Sequence, residues 1–131
     1  MEWFGLGDFI IHEAFFPMFK IEKGSNFWSD KRILDDMEDS SAITHLTKDD
    51  IPVYMTYERG NVPVDGKTNP GVWVHHVLLG LKLQEAMEKI GLECTVVSPE
   101  HEETKYGSME SFLISKLIDW IPGMDKTQSN P

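Results

Sequence analysis

An amphipathic helical pattern between two strand-like segments is the feature that most constrains this chain. One stripe of the pattern combines residues at spacings of three and four: His76, Leu79, Leu83, Met87 and Ile90. This spacing predicts a helix over 72–90, and Gly91 directly after it is typical of a helix end. β-branched residues at 51–57 and at 92–97 predict a strand on each side.

A strand, a helix and a second strand in this order form a βαβ unit, in which the crossover is right-handed and the strands are parallel. The chain is therefore expected to be an α/β protein. Ser108 is a suitable N-cap for a last amphipathic helix. A length of 131 residues predicts a single domain, here over 1–124. The last residues, 125–131, have no apolar side chains to bury and are expected to form a flexible tail.

The N-terminal segment 1–24 is rich in aromatic side chains. Its phenylalanines are Phe4, Phe9, Phe15, Phe16 and Phe19. So apolar a surface is expected either to cover the chain's own core or to contact another chain. A helix whose acidic side chains face water is predicted within 25–42. Its apolar residues Ile33, Leu34 and Met37 have helical spacing.

The charge of the chain disfavours two classes of partner. With 22 acidic and 12 basic residues, the formal net charge is −10, which repels both nucleic acid and anionic membrane surfaces. No apolar run approaches the ~20 residues that span a bilayer, and the N-terminus lacks the features of a signal peptide. Cys94 is the one cysteine, which fits a reducing compartment. We expect a cytoplasmic protein.

Both predicted strands are followed by loops that leave the same edge of a parallel sheet, where ligands bind in such folds. The helix with His75 and His76 begins at that edge, and the loop with His101 leaves the neighbouring strand there. Carboxylates occur in the same loops: Glu58, Asp65, Glu100, Glu102 and Glu103. Three of the five histidines are therefore expected to converge on one rim, which is the candidate functional site.

Imidazole and carboxylate groups at this rim could hold a divalent transition metal, and zinc is the simplest expectation. The predicted ligands are His75, His76, His101 and Asp65, and a glutamate of the His101 loop is the alternative to Asp65 as the oxygen ligand. Adjacent residues of a regular helix point about 100° apart, so the histidine pair could share an ion only where the helix begins irregularly. Three simpler interpretations stay open: His76 as a core-edge side chain bonded to a carbonyl, His75 as a solvated residue at the helix start, and His101 as a solvated loop residue.

Three longer segments carry a resemblance to a known family. They are "SSAITHLTKDDIPVYMTYERGNVP", "NPGVWVHHVLLGLKLQEAMEKIGLECTVVSPEHE" and "SMESFLISKL", which span roughly residues 38–120. Their order resembles the C-terminal part of an α/β-hydrolase, in the esterase/lipase and prolyl-oligopeptidase-like branch. The resemblance implies a truncated α/β-hydrolase-like parallel sheet with flanking helices.

The resemblance also implies catalytic roles. His101 falls at the position of the family's catalytic histidine, whereas the family's acid would lie near Gly60 or Asn61, where this chain has no carboxylate. Glu103, in the histidine's own loop, is expected to assist His101, because a carboxylate beside an imidazole orients it and raises its basicity. No Gly-x-Ser-x-Gly motif occurs in the chain, so the usual serine nucleophile is missing.

A truncated sheet would leave apolar strand surface and unpaired backbone groups at one edge. The expected repair is a homodimer, with the aromatic segment 1–24 at the interface. An ordinary monomeric core is the simpler alternative for the same aromatic residues.

Three functions are compatible with these features. The first is a small hydrolase of activated esters or phosphoesters, in which a metal-bound water with a pKa of about 7 replaces the Ser-His-Asp triad. The second is a non-catalytic dimeric remnant or scaffold of an α/β-hydrolase. The third is one subunit of a split serine hydrolase. Metal dependence would separate the first from the others, and a tight heteromeric partner would identify the third.

Overall fold

The computed structural model describes residues 15–65 and 67–120. The helices are α1 (Phe15–Met18), α2 (Lys31–Asp39), α3 (Pro70–Val74), α4 (Val77–Lys89) and α5 (Met109–Trp120). The strands are β1 (Val53–Thr56) and β2 (Cys94–Val97), and short 3-10 helices occupy Phe27–Ser29 and Ala42–His45. Helices combined with a small parallel sheet make the described chain α/β at a coarse level.

The two strands form a parallel ladder. Val53 lies opposite Cys94 at one end, and Thr56 lies opposite Val97 at the other. The backbone N–H of Tyr57 extends the ladder beyond β1 by donating to the carbonyl of Val97 over 2.8 Å. The predicted parallel pairing is confirmed, although both strands are shorter than the expected segments.

Helix α4 covers one face of the sheet and supplies its most buried side chains. The cluster on this face, called the sheet cluster below, consists of Val77, Met87, Cys94 and Val96. Val77 and Met87 are both 0% exposed. Side chains alternate between the two faces of a strand, and Val53, Met55 and Tyr57, at alternate positions, all pack against this cluster.

Helix α5 packs against the opposite face of the sheet. The ring of Phe112 is buried, and its centroid lies 5.1 Å from that of Tyr54. The hydroxyl of Ser108 accepts a hydrogen bond from the backbone N–H of Ser111, which confirms the predicted cap. The outer side of α5 keeps several apolar residues exposed: Met109, Leu113, Ile114 and Leu117. The apolar stripe predicted for this helix is therefore divided between its inner and outer sides.

The continuous helix predicted over 72–90 is wrong, because the chain forms two helices there. After α3, His76 has an extended backbone with φ −75° and ψ 136°. Its ring starts the second helix, because Nδ1 accepts a hydrogen bond from the backbone N–H of Leu78 over 3.1 Å. Gly91 follows α4 with φ +81°, a left-handed conformation that glycine adopts without strain, which confirms the predicted helix end.

The N-terminal region builds a second hydrophobic cluster from helices and turns. This helical cluster consists of Phe19, Ile21, Phe27 and Ile33. The helix predicted within 25–42 is α2, and its Ile33 faces the cluster while Leu34 stays 36% exposed. The helical spacing of the sequence therefore identified the helix, and the structure divides its apolar residues between core and surface.

The aromatic segment 1–24 lies partly outside the described residues, which begin at 15. Within the described part, Phe19 and Ile21 are buried in the chain's own helical cluster. An interface formed by the rest of the segment, and the homodimer, stay predictions. The predicted tail at 125–131 and the end of the predicted domain also lie outside the described residues.

The free cysteine lies in the sheet cluster. Burial, and then the charge of Glu88, raise the pKa of the free Cys94 thiol to about 11, so this cysteine is an unreactive core residue. Over 15–65 and 67–120, no helix is long and apolar enough to cross a membrane.

Candidate functional site

A cleft of about 750 Å³ opens where β1 ends, at the sheet edge that parallel folds use for ligands. Residues 56–60 contribute to one side, and residues 71–72, with His75 and His76, contribute to the other. Glu58 and Arg59 add opposite charges to the lining. The two adjacent histidines therefore border the same cleft as the end of β1.

The loop before α3 brings this histidine pair to the cleft. The side-chain oxygen of Asn69 accepts a hydrogen bond from the backbone N–H of Gly71 over 2.7 Å, and Pro70 stands in the first turn of α3. Asparagine is a favoured N-cap, and proline fits the first turn because the N–H it lacks has no partner there. The sequence "NPG" therefore starts the short helix that ends at the histidine pair.

The two histidines differ in their surroundings. His76 is 3% exposed, and its Nε2 lies 2.8 Å from the carbonyl oxygen of Val62. Because a carbonyl only accepts, Nε2 donates there, and Nδ1 accepts from Leu78. The interpretation of His76 as a core-edge histidine bonded to a carbonyl is confirmed. A metal on either ring nitrogen would have to displace one of these bonds. His75, by contrast, is exposed.

Asp65, the predicted oxygen ligand, lies in a turn of its own. Its Oδ1 accepts hydrogen bonds from the backbone N–H of Lys67 over 2.8 Å and from the hydroxyl of Thr68 over 3.0 Å. These two bonds hold the pKa of the carboxyl below its usual value of 3.8. Asp65 does not contribute to the lining of the cleft.

His101 is held by a tight turn directly after β2. Ser98 and His101 exchange two backbone hydrogen bonds of 3.0 Å each, and Pro99 at the second position has the φ that such a turn requires. The turn places the hydroxyl oxygen of Ser98 3.0 Å from Nδ1 of His101. Nε2 of this exposed ring makes no hydrogen bond to any residue in 15–65 or 67–120.

Glu100, in the same turn, reaches across to the end of β1. Its Oε2 accepts a hydrogen bond from the backbone N–H of Asn61 over 3.0 Å and lies 3.5 Å from the hydroxyl oxygen of Ser98. A Cβ atom on Gly60 would lie 1.8 Å from Glu100 Oε1. The carboxylate of Glu100 thus occupies the space that a side chain at position 60 would fill. Because Gly60 also lines the cleft, the turn and the cleft are in direct contact.

Glu103, the other predicted catalytic residue, forms hydrogen bonds within its own loop. Its Oε1 accepts hydrogen bonds from the backbone N–H groups of Lys105 and Tyr106. Its Oε2 is buried without a hydrogen bond to any described residue. Burial, and then the charge of Glu103, raise the pKa of Tyr54. In the same loop, Glu100 Oε2 lies 3.5 Å from the hydroxyl oxygen of Ser98, which contacts His101.

The four predicted metal ligands are not assembled into one group. Within the part of the chain that the structure describes, no three histidine, cysteine, aspartate or glutamate side chains lie close enough to hold one ion. His75 and His76 line the cleft, whereas His101 and Asp65 do not. Metal binding by these residues stays a prediction.

Sequence reasoning missed the contact of His101 with Ser98 and the contacts of Glu100 with Ser98 and Asn61. A usable signal was present, because Ser-Pro-Glu-His has proline at the second position of four, which favours a turn that joins the first residue to the fourth. Glu100 and Asn61 are 39 residues apart in the sequence, and no short sequence pattern predicts their contact.

The chain matches no protein-family model, no curated protein and no solved structure among those it was compared with.

Proposed function

We propose that this chain is a small hydrolase of activated esters or phosphoesters, in which His101 is the general base that activates a water molecule. The observation that carries the proposal is the setting of His101. Its Nδ1 lies 3.0 Å from a buried hydroxyl and its ring is exposed. Glu100 of the same turn lies against Gly60, which lines the cleft. The order of elements, which resembles the C-terminal part of an α/β-hydrolase, supports the same role for this histidine.

The chemistry needs His101 in one protonation form. When Nδ1 carries the proton and donates it to the hydroxyl oxygen of Ser98, Nε2 keeps its lone pair and faces solvent. Nε2 then takes a proton from water as the water oxygen attacks the ester carbonyl. The proton passes to the leaving alkoxide when the ester C–O bond breaks, so the products are a carboxylic acid and an alcohol.

The neighbouring cleft supports a small substrate. A volume of about 750 Å³ lies within the range of small-molecule sites. The exposed guanidinium of Arg59 lines it and could hold an anionic group of the substrate, such as a phosphoester oxygen.

The metal-dependent form of the proposal rests on the imidazoles that face the cleft. His75 and Glu58 are both exposed and both line the cleft, and imidazole and carboxylate are ligand types that zinc accepts. A bound zinc ion would lower the pKa of its water to about 7 and so supply the nucleophile. In this form His101 and Asp65 would have to approach the cleft.

The test is hydrolysis of p-nitrophenyl acetate and bis-p-nitrophenyl phosphate by the wild-type chain and by His101→Ala. We expect the rate to fall about 100-fold or more in the variant, as for loss of a general base. His45→Ala is the matched control, because His45 is also exposed but belongs to the N-terminal region. Equal rates for the wild-type chain and both variants would overturn the proposal.

The same assay decides between the two forms of the site. Activity that chelation removes and zinc restores, together with near-stoichiometric metal by mass spectrometry, supports the metal-bound water. Activity that depends on His101 but survives chelation supports imidazole acting on water without a metal. If neither substrate is cleaved, the non-catalytic scaffold becomes the preferred interpretation.

A second candidate is a split serine hydrolase, to which this chain supplies the histidine. Two observations favour it: His101 is held in the turn of residues 98–101 directly after β2, and the chain has no Gly-x-Ser-x-Gly motif. A fluorophosphonate probe, which reacts with activated serines, would test it in an extract of the source cells. A protein labelled when the wild-type chain is added, but not when His101→Ala is added, supports this candidate. Labelling that is the same with both chains rejects it.

A further inference from the structure

The carboxylate of Glu100 has an unusual position, because it lies on the backbone of another loop. Its Oε1 and Oε2 would be 1.8 and 2.2 Å from a Cβ atom built on Gly60, which is buried. A side chain at position 60 would therefore meet the carboxylate, which would have to move away. The backbone conformation of Gly60 is not left-handed, so a substitution there would displace the carboxylate without straining the backbone.

Two polar groups hold the carboxylate in this position. The backbone N–H of Asn61 donates to Oε2 over 3.0 Å, and the hydroxyl oxygen of Ser98 lies 3.5 Å from the same atom. Ser98 is 6% exposed, so its single proton cannot be shared freely with water. A carboxylate is an acceptor only, so a hydrogen bond between the two groups forms only when the Ser98 proton points towards Glu100.

The direction of the Ser98 proton fixes the form of the histidine. With its proton directed to Glu100, the hydroxyl offers a lone pair to Nδ1 of His101, 3.0 Å away. Nδ1 must then be the protonated nitrogen, and Nε2 is left as a base. An acid that holds an imidazole in its reactive tautomer is a known requirement of histidine-based hydrolysis.

We infer that Glu100 is the positioning residue of His101, and that it acts through the hydroxyl of Ser98 from a place that the missing side chain of Gly60 leaves open. This inference rests on the proposed hydrolytic role of His101. It assigns the acidic partner to the histidine's own turn and not to the loop after β1. It also replaces Glu103, whose carboxylate is bound to its own loop.

The experiment measures the tautomer of His101 by the ¹⁵N shifts of its ring nitrogens in the full chain, after treatment with a chelator, with His101→Ala used for assignment. In the wild-type chain we expect the proton on Nδ1. Glu100→Gln removes the charge at constant size, Ser98→Ala removes the hydroxyl, and Gly60→Ala fills the space of the carboxylate without removing it. Each of these variants should move population to the Nε2–H form.

Glu102→Gln is the matched control, because Glu102 is an exposed neighbour in the same loop whose side chain makes no hydrogen bond among the described residues. It should leave the tautomer unchanged. Ester hydrolysis should fall about tenfold in Glu100→Gln through kcat, with KM little changed, and stay at the wild-type rate in Glu102→Gln.

The outcomes separate this inference from the proposed function. A wild-type His101 with its proton on Nε2, or a tautomer that Glu100→Gln and Gly60→Ala both leave unchanged, would overturn the inference whatever the activity. If the tautomer shifts as expected but the wild-type chain cleaves no ester, Glu100 still positions His101, and the hydrolytic function is what fails.

Discussion

The sheet cluster and the helical cluster of this chain differ in how their residues come together. The helical cluster draws its four members from one short stretch, 19–33. The sheet cluster draws its four members from α4 and β2, over 77–96, and the segment with β1, which precedes α3, packs Val53, Met55 and Tyr57 against them. Bringing β1 onto this cluster closes the connection through α3 and α4, which has an entropic cost that local contacts do not incur, so burial in the sheet cluster has more entropy to offset.

The burial of the two clusters agrees with this difference. Val77 and Met87 of the sheet cluster are 0% exposed, whereas Ile33, the most buried residue of the helical cluster, is 5% exposed. Side chains removed completely from water contribute the most to stability. We therefore expect the β1–α4–β2 region to be the more stable part of the chain. It is also the part that carries the cleft and His101.

The largest expected effect comes from Met87→Ala in the sheet cluster. The substitution leaves a cavity among fully buried neighbours, and such changes lower the free energy of unfolding by about 2–5 kcal/mol. Urea unfolding followed by tryptophan fluorescence measures the change. Met109→Ala is the control, because Met109 is 42% exposed on α5, and its effect should stay within about 0.5 kcal/mol. Equal effects of the two substitutions would contradict the assigned core.

A smaller effect is expected from Ile33→Ala in the helical cluster, about 2 kcal/mol. Because this cluster is built from local contacts, the loss should be confined to its own region. Two-dimensional NMR should show shift changes around α2 and none in β1 or β2. Leu34→Ala, one residue away but 36% exposed, should change stability little. Shift changes that extend into the sheet would show that the two clusters form one cooperative unit.

The parts of the fold that could be predicted are those with a repeated spacing. The sequence predicted α2, the parallel pairing and the cap of α5, because apolar periodicity and capping residues are local signals. It missed the interruption at His75 and His76. Histidine is not among the favoured N-cap residues, and the apolar spacing runs through both helices without a change of phase.

For the candidate site, the sequence could predict the edge of the sheet at which it lies, but not the contacts within it. The rule that loops after parallel strands share one edge brought the cleft and His101 to the same side. The role inferred for Glu100 could not be predicted from the sequence, because its carboxylate occupies the space next to Gly60 that a side chain there would fill. Contacts of this kind depend on the distance between two loops, which a single sequence does not encode in any short pattern.

A third prediction concerns Glu93, which joins β2 to α5. Burial opposes its ionisation, but hydrogen bonds from Lys105, Lys116 and Tyr106 outweigh burial and lower its pKa from 4.5 to about 2. A lowered pKa stabilises the fold above pH 4.5, and this contribution is lost as the pH falls towards 2. We expect Glu93→Gln to lower the free energy of unfolding by about 1 kcal/mol at pH 7. The difference from wild type should shrink below pH 4.5.

Glu85 provides the matched control for Glu93. Hydrogen bonds from Lys82 and Lys89, and then their charges, also lower its pKa to about 2, but its side chain is 49% exposed on α4. Water and salt screen such a surface pair, so Glu85→Gln should change stability less than Glu93→Gln. If Glu85→Gln lowered the free energy of unfolding as much as Glu93→Gln, the partial burial of Glu93 and its partners would add nothing to stability.

The smallest expected effect is at the start of α2. Asp30 Oδ1 accepts hydrogen bonds from the backbone N–H groups of Arg32 and Ile33 over 3.0 and 3.4 Å, and loss of such a cap costs about 1 kcal/mol or less. Asp30→Ala should therefore increase amide hydrogen exchange in α2, while Asp30→Asn, which keeps an acceptor, should not. Because α4 has its own cap at His76, its amides should stay protected in both variants. If the α4 amides lost protection together with those of α2, the two regions would unfold as one, and the greater stability assigned to the sheet cluster would have to be abandoned.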